Sequence, residues 1–201
     1  DMTTDGYHAF WMLTRVWYQL RRPLRWEEPL TIRTWHREDK GATMYRDYDL
    51  FVDGEAVGEC VSAWVLASMD TRQIIRLATL HELDGTGGGE LCKNKKLSKL
   101  RLPQDLELAG RRKLRYSDTD LNGHVNNTRY ADFACDALEM ERLGPDRFLS
   151  SMQIGYLAEC RPGEELLLWT KEQDGAHFVQ GMDEGGKSRF EAALIFGEVL
   201  P

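Results

Sequence analysis

The stretch DTDLNGHVNNTRYADF, residues 118–133, decides how the rest of the sequence is interpreted. Five side chains that can hydrogen-bond or titrate fall within eight of its positions: Asp120, Asn122, His124, Asn126 and Asn127. An apolar pattern at helical spacing follows directly and predicts a helix over 127–143. Asn126 or Asn127 is the expected N-cap, and Gly144-Pro145 the expected stop. The sequence therefore predicts a polar cluster at the amino end of a helix.

Most of the remaining chain has the alternating polarity and the aromatic and β-branched content that predict strands. The predicted strands cover 10–20, 30–37, 43–52, 57–66, 112–116, 151–159, 165–173, 176–182 and 188–199. Asp53-Gly54, between two of them, is typical of a hairpin turn. One helix followed by long antiparallel strands predicts an α+β fold in which a sheet wraps around a central helix.

The two halves of the sequence read as repeats of one unit. Residues 25–34 (RWEEPLTIRT) align with residues 161–170 (RPGEELLLWT) through an arginine, an acid, a leucine and a closing threonine. The order of the predicted strands after these segments is also the same. On this alignment Pro23 stands where the second half has Glu159. The opening strand and helix of the first repeat are expected before Asp1.

Between the halves, residues 83–110 are predicted to be an interdomain linker. They contain the glycine-rich run 85–89, several lysines and Pro103, which together break any regular pattern. The glycine spacing fits neither a dinucleotide-binding fingerprint nor a P-loop. Two basic stretches, 93–101 and 111–115, lie within and after the linker. They are interpreted first as solvated linker and second as a landing site for an acidic partner.

Composition excludes several classes of function. The net charge of −7 argues against nucleic-acid binding, which needs clustered positive charge. The longest uncharged apolar run, 61–69, is too short to cross a bilayer, and no secretion signal opens the chain, so we expect a cytoplasmic protein without a membrane partner. The four cysteines include no C-x-x-C pair, which predicts free thiols and not a disulfide frame or zinc site.

The polar cluster has the composition of a hydrolytic site. In an extended segment Asp120, Asn122 and His124 would face one side, next to the free N–H groups of 125–127 at the helix start. Those N–H groups would stabilise an oxyanion. Glu159, at the end of the strand after the helix, is the expected general base. Cys160 is its rival, as a nucleophile paired with His124, but strand alternation sends the two neighbours to opposite sides and we favour Glu159.

The segment SDTDLNGHVNNTRYADF resembles the signature of the acyl-acyl carrier protein thioesterases, a D-x-N-x-H-V-N-N-x-x-Y pattern. Glu159-Cys160 resembles the E-C pair that follows this signature in the family. The first half is similar to the family at T-W (34–35), R-D (46–47), S-A-W-V (62–65) and T-R (71–72). The likeness covers nearly the whole chain.

The resemblance implies two tandem hot-dog repeats, 1–82 and 111–201, each a long antiparallel sheet around a central helix, with only the second catalytic. It implies hydrolysis of a fatty acyl thioester on acyl carrier protein (ACP), without metal or organic cofactor, by a monomer or homodimer. The catalytic set it implies is Asp120, Asn122, His124 and Glu159, with Cys160 and Asn126 as accessory candidates. The acyl-pocket candidates are Phe10, Trp11, Met12 and Trp17. An acyl-CoA thioesterase and a non-catalytic acyl-binding protein of the same fold are the alternatives.

Overall fold

The computed structural model describes residues 8–37, 41–76 and 97–199 of the chain. The chain divides into two compact units, Asp1–Leu97 and Ser98–Pro201. The glycine-rich run and the first part of the basic stretch 93–101 lie outside the described residues. Each unit is built on antiparallel strands, as the alternating polarity of the sequence predicts.

The first unit is an antiparallel sheet. Its strands are β1 (Ala9–Leu20), β2 (Leu30–His36), β3 (Met44–Val52), β4 (Glu55–Ser68) and the short β5 (Ile74–Ile75). The order across the sheet is β2-β3-β4-β1, with β5 paired to β4. Asp53 and Gly54 both have positive φ, 50° and 83°, which confirms the predicted hairpin turn between β3 and β4. Within residues 8–37 and 41–76 this unit contains no α-helix.

The second unit combines a sheet with one helix. Its elements are β6 (Glu107–Lys113), α1 (Arg129–Ala137), β7 (Arg147–Tyr156), β8 (Glu165–Gln173), β9 (Ala176–Asp183) and β10 (Ser188–Glu198). The sheet order is β7-β10-β9-β8-β6. Helix α1 contacts β6, β8, β9 and β10 and buries Tyr130, Phe133 and Ala134 against them. The apolar face that the sequence predicted for the helix is therefore the face that packs on the sheet.

The helix is shorter than predicted. It begins at Arg129 and ends at Ala137, and Glu139 has a left-handed conformation (φ 51°) that α-helical backbone does not adopt. A turn of 3-10 helix at Met140–Arg142 follows and carries the apolar pattern on. With nine residues α1 is far below membrane-spanning length, and no helix in the described part of the chain is long and apolar enough to cross a bilayer.

Three further boundaries differ from the prediction. The predicted linker extends to residue 110, but β6 already begins at Glu107, because this stretch pairs with β8 from Glu107 opposite Thr170. The strand predicted over 112–116 is the end of β6, which stops at Lys113. The strand predicted over 151–159 ends at Tyr156, so Glu159 lies in the loop after β7 and not within it.

The predicted repeat agrees with the internal organisation of both units. In each, the first long strand pairs with the last long strand of its unit, and the two intervening strands continue the sheet outward. The aligned segments also form the same turn. Arg25 N–H donates to the Glu28 carboxylate at 2.8 Å, and Arg161 N–H donates to the Glu164 carboxylate at 3.0 Å. The low-identity alignment of 25–34 with 161–170 therefore places equivalent backbone together.

Candidate active site

The segment after β6 forms a tight loop. Thr119 and Val125 face each other in an isolated bridge, and Asp120 N–H donates to the His124 carbonyl at 2.9 Å. Gly123 N–H donates to the Asp120 carbonyl at 3.1 Å, and Gly123 adopts φ +74°, which glycine reaches without strain. The segment is therefore not extended, and alternation does not decide where the three polar side chains point.

Asp118 anchors the start of this loop. Its buried carboxylate accepts hydrogen bonds from Arg112 Nη2 at 3.1 Å and from Arg115 N–H at 2.8 Å. The Arg112 guanidinium also lies over the ring of Phe133, 4.4 Å from its centre. Asp118 thus ties β6, the loop and α1 together, which is a structural role.

Asp120 and Asn122 are the first two members of the predicted catalytic set. Asp120 uses its carboxylate to accept the Asn122 N–H at 2.8 Å, which closes a turn within the loop. Asn122 is exposed, and its carboxamide makes no hydrogen bond with any residue that the structure describes. The loop therefore fixes Asp120 and leaves the Asn122 side chain available at the surface.

His124 and Glu159 are brought together. His124 Nε2 and Glu159 Oε2 are 3.4 Å apart, although the residues are far apart in sequence. The His124 side chain is 25% exposed and that of Glu159 is 53% exposed. The distance exceeds that of a strong charge-assisted hydrogen bond, about 2.7–2.9 Å. Water can therefore reach the carboxylate while the imidazole lies beside it.

Cys160 points away from this pair. The residue is fully buried, and its thiol is hydrogen-bonded to the side chain of Tyr130. Burial raises the pKa of the Cys160 thiol, so the nucleophilic thiolate is scarce near neutral pH. Glu159 and Cys160 thus lie on opposite sides of the chain. This arrangement favours Glu159 over Cys160 as the reacting group.

The backbone N–H groups expected to hold an oxyanion are mostly occupied. Val125 N–H donates to the Cys160 carbonyl at 2.9 Å, and Asn126 N–H donates to the Asp118 carbonyl at 2.8 Å. Of the three groups at 125–127, Asn127 N–H is the one that makes no hydrogen bond within the described residues. The expectation was therefore wrong for two of the three groups.

Asn126 shapes the entry into α1. Its carboxamide oxygen accepts hydrogen bonds from Thr128 N–H at 2.9 Å and from Thr128 Oγ1 at 2.8 Å. Its carbonyl accepts the Arg129 N–H at 2.9 Å. Thr128, and not Asn126 or Asn127, is the N-cap by position, and it makes no side-chain cap hydrogen bond of its own. Asn126 therefore caps the turn that leads into the helix.

Sequence reasoning missed two residues of the site. Arg189, on β10, donates from Nη1 to the Glu159 carbonyl at 2.6 Å. Tyr130 lies among the rings of Phe133, Tyr156 and Phe190, with centroid distances of 5.8, 5.6 and 5.3 Å, and hydrogen-bonds the Cys160 thiol. The tyrosine closes the recognised signature and could have been found from it. Arg189 carries no local signal, since its partner is set by strand pairing.

The remaining predicted features concern binding. Phe10, Trp11 and Met12 are half-buried, and Trp17 is buried in a cluster with Val61, Ala63 and Leu97. Their role as acyl-pocket residues stays a prediction.

Cys60, Cys135 and Cys160 are free thiols, and Cys92 lies outside the described residues. Within residues 8–37, 41–76 and 97–199, no group of three or more His, Cys, Asp or Glu side chains is arranged to bind a metal ion.

Solved structures confirm the predicted fold. An acyl-ACP thioesterase from Bacteroides thetaiotaomicron matches with a TM-score of 0.83 over 96% of this chain and 79% of that chain, at 23% identity. The 12:0-ACP thioesterase from Umbellularia californica matches with a TM-score of 0.75 over 98% of this chain and 78% of that chain, at 20% identity. The chain is a protein of two tandem hot-dog repeats.

Sequence comparison identifies the family. The acyl-ACP thioesterase N-terminal domain matches residues 2–80, and the acyl-ACP thioesterase C-terminal domain matches residues 104–197. The oleoyl-acyl carrier protein thioesterase 2 of Arabidopsis thaliana is 25% identical over 188 residues, which cover 79% of this chain and 49% of that protein. This chain belongs to the acyl-ACP thioesterase family. It spans about half the length of the curated relatives it matches.

Proposed function

We propose that this protein hydrolyses the thioester of fatty acyl-ACP and releases the free fatty acid. The observation that carries the proposal is the contact between His124 and Glu159, 3.4 Å apart and accessible to water, in the second of two hot-dog units. Family membership supports the substrate class, since the matched relatives are named as acyl-ACP thioesterases and hydrolases. The exposed carboxylate supports water as the nucleophile.

In the proposed mechanism Glu159 is the general base. Its carboxylate takes a proton from a bound water, and the resulting hydroxide adds to the thioester carbonyl carbon. The tetrahedral intermediate then expels the thiolate of the carrier, which takes up the proton held by Glu159. His124, 3.4 Å from that carboxylate, orients it and the water. The reaction consumes one water for each thioester and requires neither a metal nor an organic cofactor.

The other members of the site position the substrate. Asn122 has a free carboxamide at the surface of the loop, which can donate to the thioester carbonyl. Asp120 keeps that loop closed through its bonds to Asn122 and His124. Asn127 N–H is the backbone donor left for the developing oxyanion. Asn126 and Cys160 act in support, through the helix entry and through the carbonyl that holds Val125.

The test compares single variants on acyl-ACP. We expect Glu159→Gln to lower kcat by about 10²–10⁴-fold, the usual contribution of a general base. Cys160→Ala is expected to keep most of the activity, because the thiol is buried against Tyr130. Glu172→Gln, an exposed carboxylate on β8, is the matched control. Full activity in Glu159→Gln together with an inactive Cys160→Ala would refute the mechanism.

The carrier and the biological setting are separate questions. Comparing rates on one acyl group attached to ACP and to coenzyme A distinguishes the proposed activity from that of an acyl-CoA thioesterase. Acyl binding without turnover on either carrier would instead favour a non-catalytic binding protein. A cytoplasmic location, and a monomeric or homodimeric state, are further proposals that fractionation and light scattering can check.

A further inference from the structure

The loop that carries Glu159 is held by one residue of the neighbouring strand. The carbonyl of Arg189 accepts hydrogen bonds from the N–H groups of Leu157 and Ala158, at 2.9 and 3.1 Å. The Nη1 atom of Arg189 donates to the carbonyl of Glu159 at 2.6 Å. The three positions that follow β7 are therefore all fixed by Arg189, and the last of them bears the proposed general base.

Strand register explains why Arg189 can reach this loop. The pairing of β10 with β9 is irregular at Arg189, between Ser188 and Phe190. Such a bulge turns a side chain away from the regular alternation of the strand. The Arg189 side chain is nevertheless only 17% exposed, so the bulge directs it into the protein and not into solvent.

Arg189 is itself anchored by Asp183 at the end of β9. Its Nε and Nη2 atoms both lie 3.0 Å from Asp183 Oδ2. Asp183 also accepts the Lys187 N–H at 2.8 Å, within the turn that joins β9 to β10. The Lys187 N–H and the Arg189 guanidinium hold the pKa of Asp183 below its usual value, so the carboxylate is ionised. A second carboxylate, that of Glu164, lies 3.8 Å from Arg189 Nη2.

We propose that Arg189 is a positioning residue for hydrolysis, acting through the backbone of Glu159. The arginine binds the carbonyl of Glu159, while the carboxylate of Glu159 faces His124 at 3.4 Å. The adjacent Cys160 carbonyl accepts the Val125 N–H, so the same loop also holds the residue after His124. This inference rests on the proposed function. It adds the group that holds the Glu159 carboxylate in position beside the His124 imidazole.

The first unit supplies a matched control. Arg22 Nη1 donates to the carbonyl of Pro23 at 3.1 Å and is paired with the Glu28 carboxylate at 2.9 Å. Pro23 occupies the position that Glu159 has in the second unit, but it has no carboxylate. Removal of Arg22 therefore breaks the same kind of bond without disturbing a base.

The experiment measures kcat and KM on acyl-ACP for Arg189→Gln, Arg189→Lys and Arg22→Gln. We expect Arg189→Gln to lower kcat by roughly 10- to 100-fold with little change in KM, since small misplacements of a catalytic group have effects of this order. Arg189→Lys keeps the charge and one donor, and should recover part of the loss. Arg22→Gln should keep kcat within about twofold of wild type. Should Arg189→Gln fail to fold, Arg189→Lys and Asp183→Asn provide the same comparison.

A double variant separates positioning from general loosening of the fold. If Arg189 acts through Glu159, then Arg189→Gln costs no further activity in a Glu159→Gln protein. A loss that adds fully to that of Glu159→Gln, or a normal kcat in Arg189→Gln, would overturn the inference alone. Full activity in Glu159→Gln by itself would instead overturn the proposed role of Glu159 as general base, and a wild-type protein that does not hydrolyse acyl-ACP would overturn the proposed function. The two failures are therefore distinguishable.

Discussion

Replacement of Gly181 by alanine should destabilise the second unit by overpacking its core. Gly181 faces Phe190 across β9 and β10, and a Cβ added to it would meet Cε1 and Cδ1 of that ring closer than 3.0 Å. Contacting carbon atoms normally lie about 3.5–4.0 Å apart, so the ring must retreat by roughly 1.5 Å. Phe190 is fully buried and packs on Tyr130, which leaves it no free space. We expect a loss of about 3 kcal/mol in the free energy of unfolding, the upper part of the range for overpacked cores.

The measurement is thermal and urea unfolding of wild type and variant. A loss of about 3 kcal/mol corresponds to a fall in Tm of roughly 6–12 °C for a chain of this size. Gly110→Ala is the control, because a Cβ at Gly110 meets nothing within 4 Å. Phe190→Leu, combined with Gly181→Ala, should restore part of the stability, since the smaller side chain makes room for the added methyl group.

The same variant links core packing to the site. Displacement of Phe190 pushes on Tyr130, whose hydroxyl bonds the Cys160 thiol next to Glu159. At temperatures below its Tm, the Gly181→Ala protein should therefore also hydrolyse acyl-ACP more slowly than wild type does. A Gly181→Ala protein that is as stable as Gly110→Ala, with normal activity, would refute the packing argument.

Two further outcomes are expected. Tyr130→Phe removes the hydroxyl that bonds the buried Cys160 thiol, and should lower the free energy of unfolding by about 1 kcal/mol in a urea titration. An unchanged urea midpoint would contradict that hydrogen bond. Arg115 is an exposed cation that makes no ion pair with any described residue, so Arg115→Gln should raise KM for acyl-ACP at low salt and leave kcat unchanged. If KM of the wild type is the same at low and high ionic strength, local charge does not guide the carrier.

The strands were predictable because their signal is local. Alternating polarity and the Asp53-Gly54 turn depend on neighbours within a few residues, and both agree with the structure. The helix was overextended for a related reason. Met140 and Leu143 are half-buried after the helix has ended, so they keep a helical spacing without belonging to α1. The spacing of apolar residues indicates which side chains are buried, but it does not show whether the backbone at those residues is α-helical.

The site was predictable in its residues and not in its geometry. His124 and Glu159 do meet, as expected from the motif and the strand end. The path between them was misread because Asn122-Gly123, a dipeptide typical of tight turns, was treated as part of an extended segment. The role of Val125 N–H as a donor to the Cys160 carbonyl depends on the fold of both loops together. Such contacts between distant segments have no signal in a single sequence.

The loop that contains Pro23 in the first unit and the loop that contains Glu159 in the second unit share part of their structure. Each unit leaves its first long strand, binds the loop carbonyl with an arginine and closes the same acid-capped turn. The acid-capped turn is therefore common to both, whereas the arginine comes from the loop itself in the first unit and from β10 in the second. At the carbonyl that the arginine binds, one unit has Pro23 and the other has Glu159. The proline side chain has no group that can accept a proton, whereas the Glu159 carboxylate, with His124 beside it, can take one from water. In the proposed mechanism the chemistry therefore depends on Glu159 and on the loop that brings His124 to it.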